Sequence, residues 1–421
     1  MTVYVWLLRL LLPLVLLRLL WRGMRNRAYW HRWRERLGWI QPLHHKKVIW
    51  LHAVSVGETR ASEPLVNALL ARYPDHRILI TTTTPTGAAQ VRRSFGERVA
   101  HYYFPFDLPG AVARFLDRAR PQLLVVMETE WWPVLFHACR ARAIPIIVAN
   151  LRLSERAAAR YRKFPSLTRA TLTQVDVFAV QAQADAERLL VLGAPRERVQ
   201  VTGSIKFDFT LPPDLPQQAQ ALRNALGARP VWIAASTHEG EETQVLAAHR
   251  RLRAKFPGLL LILVPRHPER FVQVARLTRD AGFEIALRSE MPPAAAKVEV
   301  LIGDTMGELV LLIAAASVAF VGGSLVPVGG HNILEPAAAG VPAIVGPHMF
   351  NFADIHALAV AADYVQTVHD ENELAAAVAR LIDDSALRGQ RAAQGLALVA
   401  ANRGARDKLL ALIANRLGTN G

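Results

Sequence analysis

The sequence predicts an α/β protein of two doubly wound domains, each built on a parallel sheet, behind an N-terminal hydrophobic helix. Three observations carry this prediction. From Lys47 onward, short β-branched runs alternate with amphipathic helical stretches, the pattern of parallel sheets with right-handed crossovers. The runs fall into two series separated by a proline-rich break. The 421 residues also suffice for two sizeable cores, at about 150 residues per domain.

The first element, Val3 to Trp21, reads VYVWLLRLLLPLVLLRLLW and is close to the ~20 residues that cross a hydrocarbon core as a helix. Arg9, Pro13 and Arg18 interrupt it, which leaves two arrangements open: a span with both arginines snorkelling to opposite faces, or a helix lying in the interface. A buried core helix fits those arginines poorly. No small-residue cleavage site follows, which argues against a removed signal peptide. Residues 1–21 are therefore expected to be a membrane anchor. Residues 22–46 form a basic, aromatic segment with Arg22, Arg25, Arg27, Arg32, Arg34 and Arg36, and no acid before Glu35. It should stay cytoplasmic, with Trp21, Tyr29, Trp30 and Trp33 at headgroup level.

The first domain is expected over 47–210, with strands at Val48–His52, Ile78–Thr82, Leu123–Met127, Ile144–Val148, Val175–Val180 and Val199–Thr202. A linker, 211–218 (LPPDLPQQ), has three prolines that cannot continue a sheet interior or a helix. The second domain, 219–421, has strands at Val231–Ala235, Leu259–Val264, Val298–Ile302, Val318–Val321 and Pro342–Val345. Its last stretch, Glu371 to Leu417, is mostly helical, and the final helices are expected to pack back toward the first domain.

Composition excludes several classes. At 52% hydrophobic and 20% charged residues the chain is not disordered. The lone Cys139 excludes a disulfide framework and a Cys-rich metal site. The net charge, 50 − 35 = +15, calls for an anionic partner. Nucleic acid is disfavoured, because neither a basic recognition helix nor an RNA-binding aromatic motif is present.

In open α/β sheets, ligands bind at the carboxyl ends of the strands, and two such domains suggest a cleft between them. In His52-Ala-Val-Ser-Val-Gly-Glu58, Gly57 permits close backbone approach, and Glu58 lies at a helix start, where it either complements the dipole or does chemistry. No phosphate-cradle lysine follows, so this is not a P-loop. Glu128-Thr-Glu130-Trp-Trp-Pro133 sets two carboxylates beside two indoles. On an extended segment Glu128 and Glu130 share a face, and burial beside tryptophan raises a carboxyl pKa. Arg152 and Lys206 follow later strands as candidate anion contacts or plain surface cations.

In the second series, Ser236 with Glu239 fits a capping box, as does Thr305 with Glu308. Arg266 and His267 lie between prolines that fix the backbone and aim them outward, suiting a phosphate or base. Gly307 in a first helical turn costs about 1 kcal/mol relative to Ala, which suggests close approach of a ligand. Pro336 is read as the first helical residue, placing Glu335 at the cap with Asn332 beside it. A carboxylate there can accept two hydrogen bonds from a ribose diol.

Six stretches in this order match something specific: HAVSVGE (52–58), ETEWWP (128–133), GSIKFD (203–208), PRHPER (265–270), DTMGEL (304–309) and GGHNILEPAAAGVP (329–342). The chain resembles the bacterial Kdo transferases specific for lipid A, which attach 3-deoxy-D-manno-octulosonic acid to the lipid A precursor. The match runs over essentially the whole chain. The resemblance implies a GT-B architecture, CMP-Kdo as donor, inversion at the anomeric centre, no metal or other cofactor, and a place on the cytoplasmic face of the inner membrane, against its anionic lipids. It makes Glu58 the candidate general base, with Ser55 and Gly57 beside it at the acceptor. Arg266, His267, Met306, Gly307, Glu308, Gly330, Asn332 and Glu335 fall where the family binds CMP, with Glu335 on the ribose. Glu128, Glu130, Arg152 and Lys206 fall on the acceptor side. The sequence departs from the family in having Leu151 where Ala is commoner and Ser204 where Asn is common. These departures bear on acceptor selectivity and leave Arg152 and Lys206 in place.

The residues suit that chemistry. No Asp-x-Asp metal motif and no suitably spaced His cluster occurs. The leaving CMP must then be stabilised by fixed dipoles and cations, such as the helix start at Met306–Gly307 and Arg266. Rival readings are a GT-B enzyme acting on a UDP-sugar, which a CMP-against-UDP donor screen separates, and a non-catalytic membrane-attached glycan or lipid binder.

Overall fold

The computed structural model describes residues 2–25, 27–43, 47–290 and 298–418. The chain divides into two units, Met1–Phe209 with Asn402–Gly421, and Thr210–Ala401. Each holds one seven-stranded sheet, parallel throughout.

The first sheet contains β1 (Val48–His52), β2 (Arg77–Thr82), β3 (Ala100–Tyr103), β4 (Leu123–Met127), β5 (Ile146–Leu151), β6 (Val177–Val180) and β7 (Val199–Val201), in the order β3-β2-β1-β4-β5-β6-β7. β1 and β4 are fully buried, as strands covered by helices on both faces must be. Ile49 and Leu51 meet Leu65, Val66 and Leu69 of the helix Val56–Arg72, together with Leu409 and Ile413 near the C-terminus. On the opposite face, Val48 and Trp50 meet Phe104, Phe115 and Phe136.

The C-terminal helix Ala405–Gly418 thus completes the first unit. Asp208, from the GSIKFD stretch, caps it by accepting from the Gly404 and Arg406 amides, each at 2.6 Å. At the unit boundary, the helix Leu215–Leu226 starts inside the stretch read as linker. Pro216 lies in its first turn, where its missing N–H has no intrahelical partner to lose.

The second sheet contains β8 (Val231–Thr237), β9 (Leu260–Pro265), β10 (Ile285–Leu287), β11 (Val300–Ile302), β12 (Val318–Val321), β13 (Ala343–Val345) and β14 (Val365–Thr367), in the order β10-β11-β9-β8-β12-β13-β14. In each sheet the winding direction reverses once, between β1 and β4 and between β8 and β12. The crevices at the carboxyl ends of these two pairs are where open α/β sheets bind ligands.

The N-terminal helix runs from Thr2 to Arg25, through Pro13. Val3–Met24 is long and apolar enough to cross a membrane. Most of its leucines are exposed, with Leu10 at 75%, yet the Tyr4 hydroxyl donates to Asp107 Oδ2 at 3.0 Å. In the basic segment after it, two of the arginines bond to the protein itself. Arg32 bonds Glu35 at 2.7 Å and the His101 carbonyl at 2.6 Å. Arg36 is buried, donates to the Thr83 carbonyl at 2.8 Å and lies 4.4 Å over the Tyr103 ring. Acceptors at the ends of β2 and β3 draw these two cations onto protein, whereas Trp30 and Trp33 stay about half exposed. Asn26, residues 44–46 and the side chain of Arg25 lie outside the described residues.

Candidate active site

Where β1 ends, Ser55 caps the helix Val56–Arg72. Its Oγ accepts from the Glu58 amide at 3.3 Å and donates to Glu58 Oε1 at 2.9 Å, while the Val54 amide donates to Oε2 at 2.6 Å. This is a capping box shifted by one residue, with the carboxylate reaching the amide before the cap. Local geometry therefore fixes Glu58 in one pose. Burial pushes its carboxyl up to about 7, and the neighbouring Glu128 charge adds to that, against the lowering by its two hydrogen-bond donors. Gly57 leaves space in front: an added Cβ meets only Ser55 Oγ, at 3.7 Å.

Glu128 follows β4 directly and has φ +60°, so the chain turns there. The extended-strand argument for a shared face of Glu128 and Glu130 therefore fails, yet the turn brings both carboxylates near Glu58. Glu130 is raised to about 7, first by burial, then by Glu58 and Glu128. Trp131 packs edge-on to Tyr161 and Phe178, and Trp132 against Phe104 and His52, which anchors the loop in the core. The following helix, Pro133–Ala141, is held by a distant residue, because Asp107 accepts from the Val134 and Leu135 amides at 3.1 and 2.8 Å.

Arg152 and Lys206 lie on loops tied to the same end of the sheet. The Thr129 hydroxyl donates to the Arg152 carbonyl. Asn150, at φ +55°, accepts from the Ile205 amide at 3.1 Å, which holds the short turn Ile205–Phe207 carrying Lys206.

In the second unit, the Ser236–Glu239 capping box does not form. β8 extends through Ser236 to Thr237, and the next helix begins at Glu241 behind Gly240. The buried Glu241 carboxylate instead accepts from the amides of His238, Gly323, Ser324 and Leu325, at 3.0, 2.6, 2.9 and 2.8 Å. It binds the loop after β8 to the loop after β12. Arg266 and His267 follow β9, and Arg270 of the same stretch is structural, paired with buried Glu242 at 2.5 Å.

Gly307 is not in a helical turn. The helix there, Leu309–Ala314, starts two residues later, and Gly307 has φ +87°, a left-handed conformation that favours glycine. Glu308 bonds Thr305 and Arg288, the latter at 2.8 Å, and Met306 is exposed. The short helix near the nucleotide candidates is Leu334–Ala338, so Glu335 lies within its first turn rather than at its cap. Asn332 takes the capping role, accepting from the Leu334 amide and donating to Glu335 Oε1, both at 3.1 Å. Gly330, at φ +75°, leaves room for Met349, whose Sδ would lie 2.2 Å from an added Cβ.

A family model described as 3-deoxy-D-manno-octulosonic-acid transferase (kdotransferase) matches residues 31–209. The chain is 43% identical to the 3-deoxy-D-manno-octulosonic acid transferase of Haemophilus influenzae over 88% of each chain. It is 38% identical to that of Bordetella pertussis over 99% of each. The chain belongs to the Kdo transferase family.

This Kdo transferase is therefore a glycosyltransferase by family, and its two doubly wound sheets are those of a GT-B fold. The fold is shared with the UDP-GlcNAc 2-epimerase from Neisseria meningitidis, at TM-score 0.59 and 16% identity, covering 88% of this chain and all of that one. The carboxylates read from the Kdo transferase sequence, Glu58, Glu128 and Glu130, meet at the β1/β4 crevice. The loops of Arg266, His267, Gly330, Asn332 and Glu335 meet at the carboxyl ends of β9, β8 and β12. Sequence reasoning missed three contributors. Glu241 and His238 were hidden by the supposed capping box. His331 stood inside a quoted motif, but its partner His238 is 93 residues away, with Nε2 to Nε2 at 2.8 Å. Among the described residues, no group of three or more His, Cys, Asp or Glu side chains is placed to hold a metal ion.

Proposed function

We propose that this chain transfers Kdo from CMP-Kdo to the phosphorylated lipid A precursor, lipid IVA, with inversion and without a metal, in lipopolysaccharide core biosynthesis at the cytoplasmic face of the inner membrane. The observation that carries the chemistry is Glu58: a carboxyl held in one pose and raised to about 7 at a strand-end crevice, in a member of the Kdo transferase family. A group poised near neutrality is suited to take the proton of the attacking sugar hydroxyl. The second carboxyl, Glu130, stays partly protonated beside it and limits the repulsion that full ionisation would bring.

Arg152 and Lys206 supply cations for the acceptor phosphates. The second unit takes the CMP part, with Glu335 on the ribose and Arg266 and His267 toward the phosphate. Met306, Gly307 and Glu308 lie on the adjacent strand-end loop after β11. Because the helix there starts only at Leu309, this reading relies on cations and glycine backbone rather than a helix dipole for the leaving group.

For the membrane, the reading favours a helix lying in the interface, against anionic lipids, over a span. A helix of 24 residues is about 36 Å long. Tyr4, near one end, bonds Asp107, while Arg32 and Arg36, just beyond the other, bond the same unit. Both ends are then on one side of a bilayer.

The test is incubation of the full chain in detergent with CMP-Kdo and tetraacylated lipid IVA, with mass spectrometry counting added sugars. Release of CMP with a Kdo-modified product is expected. Turnover of UDP-sugars instead would overturn the reading.

A further inference from the structure

His238 and His331 meet edge to edge beside the β8/β12 crevice. Their rings are 5.0 Å apart and 9° from parallel, and their Nε2 atoms are 2.8 Å apart. Two imidazole nitrogens at that separation must share one proton, since two lone pairs or two N–H groups would repel. The fold assembles the pair from two loops. Glu241 ties both together by accepting from the His238 amide on one and from Gly323, Ser324 and Leu325 on the other. Gly323, at φ +67°, keeps the space beside the pair: an added Cβ there would lie 3.0 Å from the His331 ring and 3.5 Å from the His238 ring.

The surroundings are cationic. His267 stands edge-on to His238 at 5.3 Å between centroids. Arg266 and Arg270 from the same loop also act on His238, and Glu242 is the opposing charge. Arg270 is already paired with Glu242, and the Glu241 carboxylate is turned onto backbone amides. Burial and these cations hold His238 below the usual histidine range. Glu269 lies 4.0 Å from His267, and an anion docking beside the pair would meet imidazoles and guanidinium groups brought together from separate loops.

We propose that the His238–His331 pair is a contact for the phosphate of the bound nucleotide and takes up a proton from solvent as that phosphate docks. This rests on the nucleotide reading of Arg266 and His267 above. The phosphate brings the negative charge that offsets the surrounding cations, so a further proton on an outer ring nitrogen, Nδ1, becomes favourable on binding while the two Nε2 atoms still share one. The contact strengthens as the reaction proceeds, because the phosphodiester of a nucleotide sugar carries one negative charge and the released monoester about two. A group that binds the more charged phosphate better stabilises the departing one.

The experiment is calorimetric titration of the full chain with CMP at pH 7.5 in two buffers of different ionisation enthalpy, which counts protons taken up. Wild type should take up a clear fraction of a proton. His238→Gln and His331→Gln should each bind CMP about tenfold more weakly, with uptake near zero. CMP binding with no uptake in wild type, or unchanged affinity and uptake in both variants, would overturn the proposal and leave the nucleotide reading standing. Absence of any CMP binding by wild type would overturn both. If a variant does not fold, imidazole nitrogen NMR of wild type decides: two Nε2 resonances should move on CMP addition, and unmoved resonances would refute the contact.

Discussion

Replacing Glu58 with Gln separates its structural role from its chemistry. The amide keeps an acceptor for the Val54 N–H and can donate to Ser55 Oγ where the carboxylate accepted from it, so the helix start is preserved. It cannot accept a proton. In the folded chain the carboxyl is moved from 4.5 to about 7, so holding it ionised costs about 3 kcal/mol at 1.36 kcal/mol per pH unit. The folded pKa is the higher one. Below 4.5 both states are protonated and there is no penalty. As pH rises from 4.5 through about 7, the unfolded chain loses its proton first, and wild-type stability falls by up to that amount. Glu58→Gln carries no such penalty. Denaturant unfolding should therefore show the variant more stable than wild type by up to about 3 kcal/mol at pH 8, with the gap shrinking toward pH 5. Its turnover should fall by roughly 10²–10⁴-fold, while CMP affinity persists. In wild type, kcat/KM should rise with pH to a plateau above about 7. Glu128→Gln should shift that limb to lower pH, because the negative neighbour that raises Glu58 is gone. Near-normal turnover in Glu58→Gln, or a wild-type profile flat from pH 5 to pH 8, would refute the reasoning.

Glu335→Ala removes the carboxylate assigned to the ribose and should weaken CMP binding in calorimetry, so an unchanged affinity would count against that assignment. Asp208→Ala leaves the Gly404 and Arg406 amides without their cap, and should lower stability by about 1–2 kcal/mol, read as a lower Tm with early protease cleavage after Ala401. Deleting residues 2–24 should loosen membrane association and leave the circular dichroism signal of a folded protein. Labelling of a cysteine placed at Val3 should require a membrane-permeant reagent, and labelling from outside intact spheroplasts would show that the helix spans.

Part of this was legible in the chain. Each strand read from a continuous apolar run is present, because interior strands of a parallel sheet are buried on both faces and need such runs. The strands that escaped, β3, β10 and β14, are all at sheet edges. β3 reads AHYY with its middle pair only partly buried, and β10 and β14 are likewise mostly only partly buried, so they lack the continuous apolar run of an interior strand. The candidate residues were legible for a related reason: in a wound sheet, chemistry follows the strand ends, and strand ends can be found from the strands.

The sequence by itself determined the alternation of strands and helices, the two series, the apolar N-terminal segment and the loops that carry polar chemistry. Each of these is written in neighbouring residues. Only the tertiary structure decided what those loops do to one another. It gave the cap of the helix Pro133–Ala141 to Asp107 and placed the last helix, Ala405–Gly418, on the first sheet. It turned the chain at Glu128 so that three carboxylates meet, made Glu241 the clasp of two loops, and brought His238 to His331. Such contacts depend on left-handed turns and on the order in which parallel strands lie side by side, and local periodicity carries no record of either.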